Sequence, residues 1–314
     1  MKKALTPLIF TLFSANTFAA QDGTADSWDN NDNLVNLNCI GTLTAAHCLD
    51  DQYLQFSDGK FRSSTNRTNH PNYVGNSGFD VALLILDPPA QSQHSFYFAD
   101  LTNDPLTDKE HITFWGFGGT DEHLHYATQE IDEANTSGHP TAYMYMRGVN
   151  IGQGSVDYGD SGGPWLNVHN AIIAVTSKGS SYGDNLHYAK DFILDTINGW
   201  HYLTVANTSS GQVTIKVQSL HQNPVVDSAY TSGDAKIIGG TCQSAGTSNA
   251  FATCDYVIEN QGGEGTLHLN DSESISINPQ TNSDGNSSGG AGSLCLLSAV
   301  ALMTLGLRRR FLKG

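Results

Sequence analysis

Positively charged residues are scarce in this chain of 314 residues. Lysine and arginine together number 15, against 31 aspartate and glutamate residues, which gives a formal charge of −16 at pH 7. Part of this small basic complement lies in the two end segments, at Lys2, Lys3, Arg308, Arg309, Arg310 and Lys313. An acidic surface repels nucleic acid and anionic lipid, so the sequence predicts neither as a partner.

Patterns that bind metals are also missing. The five cysteines form no CxxC pair and no Cys/His cluster, which argues against a zinc site. His123 and His125 form an H-x-H pair, but no third clustered ligand accompanies them. The acidic segment at 26–33 lacks the regular D-x-D-x-D-G loop of a calcium site. The sequence therefore predicts no metal and no cofactor.

Cys242 and Cys254 are predicted to form a disulfide with each other, from their spacing alone.

Hydrophobic runs are short as well. Residues 1–20 contain two lysines, a short apolar run and small residues at Ala19 and Ala20, which predicts a secretory signal peptide. An uncleaved anchor is the alternative, but the run is too short to span a bilayer comfortably. Export would permit disulfides.

Short apolar runs separated by turn residues fill the rest of the chain, which contains 32 glycines. In residues 21–200 this spacing favours barrels or sandwiches, and apolar residues at helical spacing predict a helix at 190–200. Residues 202–278 alternate apolar and polar side chains, which predicts a small all-β, sandwich-like module for surface presentation, substrate binding or spacing. Residues 279–292 are predicted to be a flexible Gly/Ser/Asn-rich linker.

Three motifs in the segment 21–200 carry residues suited to nucleophilic catalysis. They are TAAHC with His47, DVALLIL with Asp80 and GDSGGP with Ser161, in that order. A fourth segment, ITFWGFGGT, contains Trp115 and Gly116. Together these motifs resemble the trypsin/chymotrypsin (S1) family of serine proteases. The resemblance implies an all-β fold of two antiparallel β-barrels, closed by a C-terminal helix, with the active site between the barrels.

The family resemblance also assigns a role to each motif residue. Ser161 is the expected nucleophile, His47 the general base and Asp80 the carboxylate that orients His47. The backbone N–H groups of Gly159 and Ser161 are expected to form the oxyanion hole, and glycine suits the backbone geometry of that turn. Asp160 is expected to have a structural role beside the nucleophile.

Further expectations concern substrate binding and a second disulfide. The resemblance places Ser155 at the floor of the primary pocket, where a neutral side chain favours an apolar or aromatic substrate residue. Ser177 and Gly179 belong to the strand that pairs with the substrate backbone and borders the pocket mouth. The cysteine after the catalytic histidine pairs with an upstream cysteine in the family, which implies a Cys39–Cys48 bridge.

The sequence departs from the family in its activation region. In the family a cut frees an I/V-V/I-G-G terminus whose amine pairs with the residue equivalent to Asp160. No such motif lies between Gln21 and Cys39. KIIGGT at 236–241 resembles one, but it follows Ser161 and is interpreted as a strand closed by a glycine turn.

Three hypotheses for the function stay open. The first is a secreted serine endopeptidase that hydrolyses peptide bonds through an acyl-enzyme, with protein or peptide substrates as its partners. The second is a catalytically silent protease-like scaffold that acts in surface binding or adhesion. The third is an incomplete product without a stable first barrel. The complete triad favours the first hypothesis, and the missing activation motif favours the others. The sequence assigns no oligomeric state.

The C-terminal segment 293–314 combines a 15-residue apolar run with an arginine cluster. After a Gly-Gly pair, this resembles the GlyGly-CTERM sorting signal of Gram-negative secreted proteins, from which a sorting protease removes the tail. A simple tail anchor is the alternative. The resemblance implies transient retention in the inner membrane of a Gram-negative-type envelope, followed by a cell-surface or extracellular location.

Overall fold

The computed structural model describes most of residues 35–280. The gaps are at 38–40, 49–52, 56–60, 76–77, 88–90, 94, 106–108, 117–124, 133–144, 153, 158, 179–180 and 210. The predicted signal peptide at 1–20 and the tail at 293–314 lie outside the described residues, as does the linker beyond residue 280. The described residues are mostly in β-strands, with little helix.

A five-stranded antiparallel sheet forms the first part of the structure, with the strand order β1-β2-β5-β4-β3. The run VALLIL gives its central strand, since side chains on both faces of that strand are covered by neighbouring structure. The five strands are β1 (Val35–Leu37), β2 (Gly41–Thr44), β3 (Tyr53–Gln55), β4 (Phe61–Asn69) and β5 (Ala82–Asp87).

A closed six-stranded barrel follows. Its order is β10-β7-β8-β9-β12-β11, and β10 closes the circle by pairing with β11, while β6 pairs with the outer edge of β11 in parallel. The strands are β6 (Tyr97–Phe98), β7 (His111–Gly116), β8 (His125–Asp132), β9 (Tyr145–Asn150), β10 (Pro164–Leu166), β11 (Ala171–Lys178) and β12 (Tyr182–Asn185).

A helix after the barrel differs in length from the segment 190–200 predicted for it. Helix α1 (Lys190–Ile197) ends where Asn198 adopts a left-handed conformation with φ of 40°. That conformation stops the helix and is tolerated by asparagine better than by most residues. Trp200 therefore begins the next strand, and its side chain is buried there.

Two four-stranded sheets follow α1 and share one apolar core. Their strand orders are β13-β15-β20-β18 and β14-β22-β21-β17. Buried and more exposed side chains alternate along β20 and β22, so one face of each strand packs into the core. The elements are β13 (Trp200–Tyr202), β14 (Val205–Ala206), β15 (Gly211–Ser219), β16 (Val225–Val226), β17 (Tyr230–Gly233), β18 (Lys236–Gly239), α2 (Thr241–Ala245), β19 (Thr247–Ser248), β20 (Thr253–Asn260), β21 (Gly265–His268) and β22 (Ser274–Ile277).

Two features of the sequence have direct counterparts in these sheets. Cys242 on α2 and Cys254 on β20 form a disulfide. The KIIGG segment is strand β18 followed by Gly240, whose φ of 126° a side chain would disfavour. The strand predicted for KIIGGT is confirmed, and Gly240 leads directly into helix α2.

The described residues up to Pro279 form one compact unit, in which the C-terminal sheets pack against the preceding sheet and barrel. Leu220 and Phe251 belong to the same apolar cluster as Leu43 and Leu166. Gln218, fully buried on β15, binds Phe98 on β6: its Oε1 accepts from the Phe98 N–H and its Nε2 donates to the Phe98 carbonyl. The predicted module 202–278 therefore contacts β6 through hydrogen bonds and the preceding structure through a shared apolar cluster. Among the described residues, no helix is long and apolar enough to cross a membrane.

His201 on β13 gives this interface a predicted pH dependence. Its ring is fully buried and its Nε2 lies 2.7 Å from the Phe96 carbonyl oxygen. Burial lowers the pKa of His201 from 6.5 to about 4, although the Phe96 hydrogen bond acts in the opposite direction. Between these two values the unfolded chain binds a proton that the folded chain does not. The free energy of unfolding should therefore decrease as the pH falls through this window, by up to about 3 kcal/mol.

Urea unfolding at both ends of the window measures this effect. The variant His201→Gln keeps a donor for Phe96 but cannot titrate, so its stability should depend less on pH. His169→Gln, at an exposed turn, serves as the control and should behave like the wild type. Equal pH dependence in wild type and His201→Gln would contradict the assignment.

Candidate active site

Asp80 lies at the centre of a hydrogen-bond network just before β5. It is almost fully buried. Its Oδ1 accepts from the backbone N–H of His47 at 2.7 Å, and its Oδ2 lies 2.5 Å from the His47 Nδ1. The hydroxyl of Ser177 on β11 also donates to Oδ2, at 2.6 Å. These contacts fix the carboxylate against both the ring and the main chain of His47.

His47 links the buried carboxylate to the surface. It follows β2 and the buried residues Ala45 and Ala46, and 37% of its side chain is exposed. Arg67 on β4 donates from Nη2 to the Ala46 carbonyl at 2.7 Å, which holds the backbone ahead of the histidine. Because Nδ1 faces a carboxylate, the neutral ring keeps its proton on Nδ1 and presents a lone pair at Nε2.

Ser161 lies 2.8 Å from that lone pair, measured from its Oγ to the His47 Nε2. The structure thus brings together His47, Asp80 and Ser161, which are widely separated in the sequence. A hydroxyl in this position can transfer its proton to Nε2 while its oxygen attacks an electrophile. In this arrangement the Asp80 carboxylate orients the His47 ring, and the ring faces the Ser161 hydroxyl.

The turn that carries Ser161 is defined by backbone hydrogen bonds to β11. The N–H of Gly162 donates to the Thr176 carbonyl, and the N–H of Thr176 donates to the Gly163 carbonyl, both at 2.8 Å. Gly159 and Gly162 have φ values of 98° and 82°. Such angles favour glycine over every other residue, which explains why this turn has glycines on both sides of the serine.

The same turn supplies the predicted oxyanion donors. The N–H of Ser161 donates to none of the described residues. Gly159 is half-buried two residues earlier. Asp160 is buried between them, and its Oδ2 accepts from the N–H of Asp157 at 2.7 Å. The assignment of Gly159 and Ser161 as oxyanion donors remains a prediction, as does the structural role of Asp160.

The residues predicted to bind substrate occupy different environments. Ser155 is exposed, whereas Ser177 is buried and directs its hydroxyl to Asp80. The Ser177 side chain therefore supports the carboxylate, which leaves only its main chain for substrate. Gly179 lies outside the described residues. Leu186, which follows β12, is fully buried in the apolar core.

Of the two cysteines predicted to form a bridge beside His47, the structure describes only Cys48. Cys48 is buried after the histidine, and Cys39 lies outside the described residues, so the Cys39–Cys48 bridge remains a prediction. Within the described part of the chain, no cluster of three or more His, Cys, Asp or Glu residues could hold a metal ion.

A second buried acid, which the sequence analysis did not single out, lies beside the site. Asp184 on β12 is 1% exposed, and its Oδ2 accepts from the backbone N–H of Asp80 at 2.9 Å. Burial first, and then the charge of Asp80, raise the pKa of Asp184 to about 7. Asp184 belongs to the segment YGDN, which is rich in turn-forming residues. The sequence therefore did not indicate that this segment forms a strand with a buried carboxyl.

The chain is similar to several proteins of known structure. A comparison with curated protein sequences gave no match. Among solved structures, VesB protease from Vibrio cholerae is 18% identical, with a TM-score of 0.46, over 79% of this chain and 88% of its own. The secreted serine protease VesC from Vibrio cholerae is 17% identical, with a TM-score of 0.45, over 81% of this chain and 66% of its own. Kallikrein-related peptidase 10 is 17% identical, with a TM-score of 0.48, over 56% of this chain and 96% of its own.

The family itself is identified by sequence. The sequence model named Trypsin matches residues 34–197, which is more than half of the chain. The matched region contains the five-stranded sheet, the closed barrel and helix α1, together with all three residues of the hydrogen-bonded triad. The chain therefore belongs to the trypsin family of serine proteases.

Proposed function

We propose that this protein is a serine endopeptidase that hydrolyses peptide bonds through an acyl-enzyme on Ser161. The observation that carries the proposal is the continuous hydrogen-bond chain from Asp80 through His47 to Ser161, with distances of 2.5 Å and 2.8 Å. A serine hydroxyl is a poor nucleophile unless a base accepts its proton. In this proposal His47 is that base, because a ring that keeps its proton on Nδ1 can accept the serine proton at Nε2.

In the acylation step, the Ser161 oxygen forms a bond to the carbonyl carbon of the peptide while its proton moves to His47 Nε2. Asp80 stabilises the resulting imidazolium through Nδ1. The carbonyl oxygen becomes an oxyanion, which accepts hydrogen bonds from the N–H groups of Ser161 and Gly159. His47 then donates its proton to the departing amine, and the acyl group stays on Ser161.

In the deacylation step, water attacks the acyl carbon and gives its proton to His47. The bond to Ser161 breaks, and His47 returns the proton to the serine oxygen. Over the two steps, one peptide bond and one water are consumed, and the products are a carboxylic acid and an amine.

The location we propose is outside the cell. Residues 1–20 have the composition of a secretory signal peptide, and the segment 293–314 resembles a GlyGly-CTERM sorting tail. Under this proposal the tail holds the protein transiently in the inner membrane until a sorting protease removes it. The acidic composition of the intervening chain suits a protein that is soluble after release.

Digestion of a denatured protein mixture tests the function. We expect the full chain to generate new peptide ends that mass spectrometry can identify, and to favour apolar or aromatic residues before the cut because Ser155 is neutral. Ser161→Ala should generate none, whereas Ser209→Ala, at an exposed loop position, should cut like the wild type. Equal cleavage by Ser161→Ala and wild type would assign the activity to a contaminant.

A further inference from the structure

The backbone that carries Asp80 is strained immediately before that residue. Gly78 and Phe79 both have positive φ angles, of 86° and 55°. A left-handed conformation is unusual for a large side chain such as phenylalanine and persists only where surrounding contacts impose it. The Phe79 ring is held by stacking on His70, with 4.4 Å between ring centroids.

Asp80 directly follows Gly78 and Phe79, and its backbone N–H donates to the Oδ2 of Asp184. The bond of 2.9 Å joins β12 of the closed barrel to the segment ahead of β5 in the first sheet. Both side chains are buried. Buried N–H groups that lose their acceptor are costly, so this bond constrains where the Asp80 main chain can lie.

We propose that Asp184 is a positioning residue of the active site, which fixes Asp80 through its backbone N–H and thereby sets the orientation of His47. The carboxyl of Asp184 does not touch His47 or Ser161 in the contacts described above, so it acts through Asp80. The inference rests on the proposed function, because it concerns the same triad.

The charges around Asp184 add a consequence for pH. Asp80 and the Asp184 carboxyl share one buried region, the hydroxyl of Tyr73 interacts electrostatically with both, and Lys178 on β11 is the neighbouring cation. With the pKa of Asp184 raised to about 7 by burial and by Asp80, the carboxyl changes charge in the neutral range. An ionised Asp184 favours the protonated form of His47, which must be neutral to act as a base.

Two substitutions separate the acceptor from the charge. Asp184→Asn keeps an oxygen that can accept from the Asp80 N–H but cannot ionise, and Asp184→Ala removes both. Asp191→Asn, on the exposed side of α1, controls for the loss of one negative charge. For each full-length variant we would measure kcat and KM for a peptide substrate against pH, and follow the low-field NMR signal of the proton on His47 Nδ1.

We expect Asp184→Ala to lower kcat about 100-fold with little change in KM, because a small displacement of Asp80 misorients the base without altering substrate binding. Asp184→Asn should restore kcat to within a few-fold of wild type. Its activity should persist to lower pH, with the acidic limb of the profile moved down by about half a unit, because no second anion favours protonated His47. Asp191→Asn should match wild type.

Unchanged kcat and an unchanged His47 signal in Asp184→Ala would overturn the inference. If Asp184→Ala does not fold, Asp184→Leu, which fills a similar volume without an acceptor, decides, and unchanged kcat with an unchanged His47 signal in that variant would overturn the inference. A wild-type chain that hydrolyses no peptide would refute the proposed function. The low-field signal of the proton on His47 Nδ1 in Asp184→Ala would still decide the positioning role, which a displaced or broadened signal supports and an unchanged signal overturns.

Discussion

Replacing His47 with alanine should lower kcat for peptide hydrolysis about a million-fold, the size of effect found when the base of such a triad is removed. The Ser161 oxygen would keep its place in the turn, since that turn is fixed by hydrogen bonds to β11. It would lose the only described acceptor of its proton, the His47 Nε2 at 2.8 Å. Substrate binding should change little, so the loss should be in kcat and not in KM.

The matched control for this variant is His169→Ala, because His169 is exposed on a turn between β10 and β11. Its kcat should equal that of wild type. Circular dichroism would verify that both variants are folded. A His47→Ala enzyme within about tenfold of wild type would contradict the assignment of His47 as base, since general-base catalysis contributes more than that.

Replacing Asp80 with asparagine should lower kcat about 10,000-fold near neutral pH. The amide of asparagine would direct an N–H group towards His47 Nδ1, so the ring would shift its proton to Nε2. That nitrogen faces Ser161 and could no longer accept its proton. The backbone bond from His47 to the side-chain oxygen at position 80 can persist, so the fold should be largely retained.

Steady-state kinetics with the same peptide substrate would measure this loss, again with Asp191→Asn as the control for charge. The loss of activity should come with little change in KM or in the melting temperature. Comparable kcat values for Asp80→Asn and wild type would show that the 2.5 Å contact between His47 and Asp80 has no part in catalysis.

The motifs for the triad could be predicted from the sequence because each contains its own local geometry. GDSGGP places glycines at positions with positive φ, and TAAHC continues from a buried strand. The strand at VALLIL and the Cys242–Cys254 disulfide were predictable for similar reasons: both depend on residues close together in the chain. Short-range patterns therefore identified the parts of the site.

Long-range contacts between buried polar groups were not predictable in this way. Asp184 meets the N–H of Asp80 across 104 positions in sequence, and nothing in YGDN indicates burial. Gln218 and His201 occupy strands whose alternation suggests that polar side chains face solvent, yet Gln218 binds Phe98 and His201 binds Phe96 in the buried interior. A polar residue in a strand can be buried wherever another segment offers it hydrogen-bond partners, and only the tertiary structure shows where.

The central claim is that Ser161 is an activated nucleophile. Labelling of the full chain with a fluorophosphonate probe tests it most directly, because such a probe forms a covalent bond only with a serine whose proton is removed during attack. We predict labelling of the wild type and none of Ser161→Ala, with strongly reduced labelling of His47→Ala. A folded wild-type protein that remains unlabelled would contradict the claim.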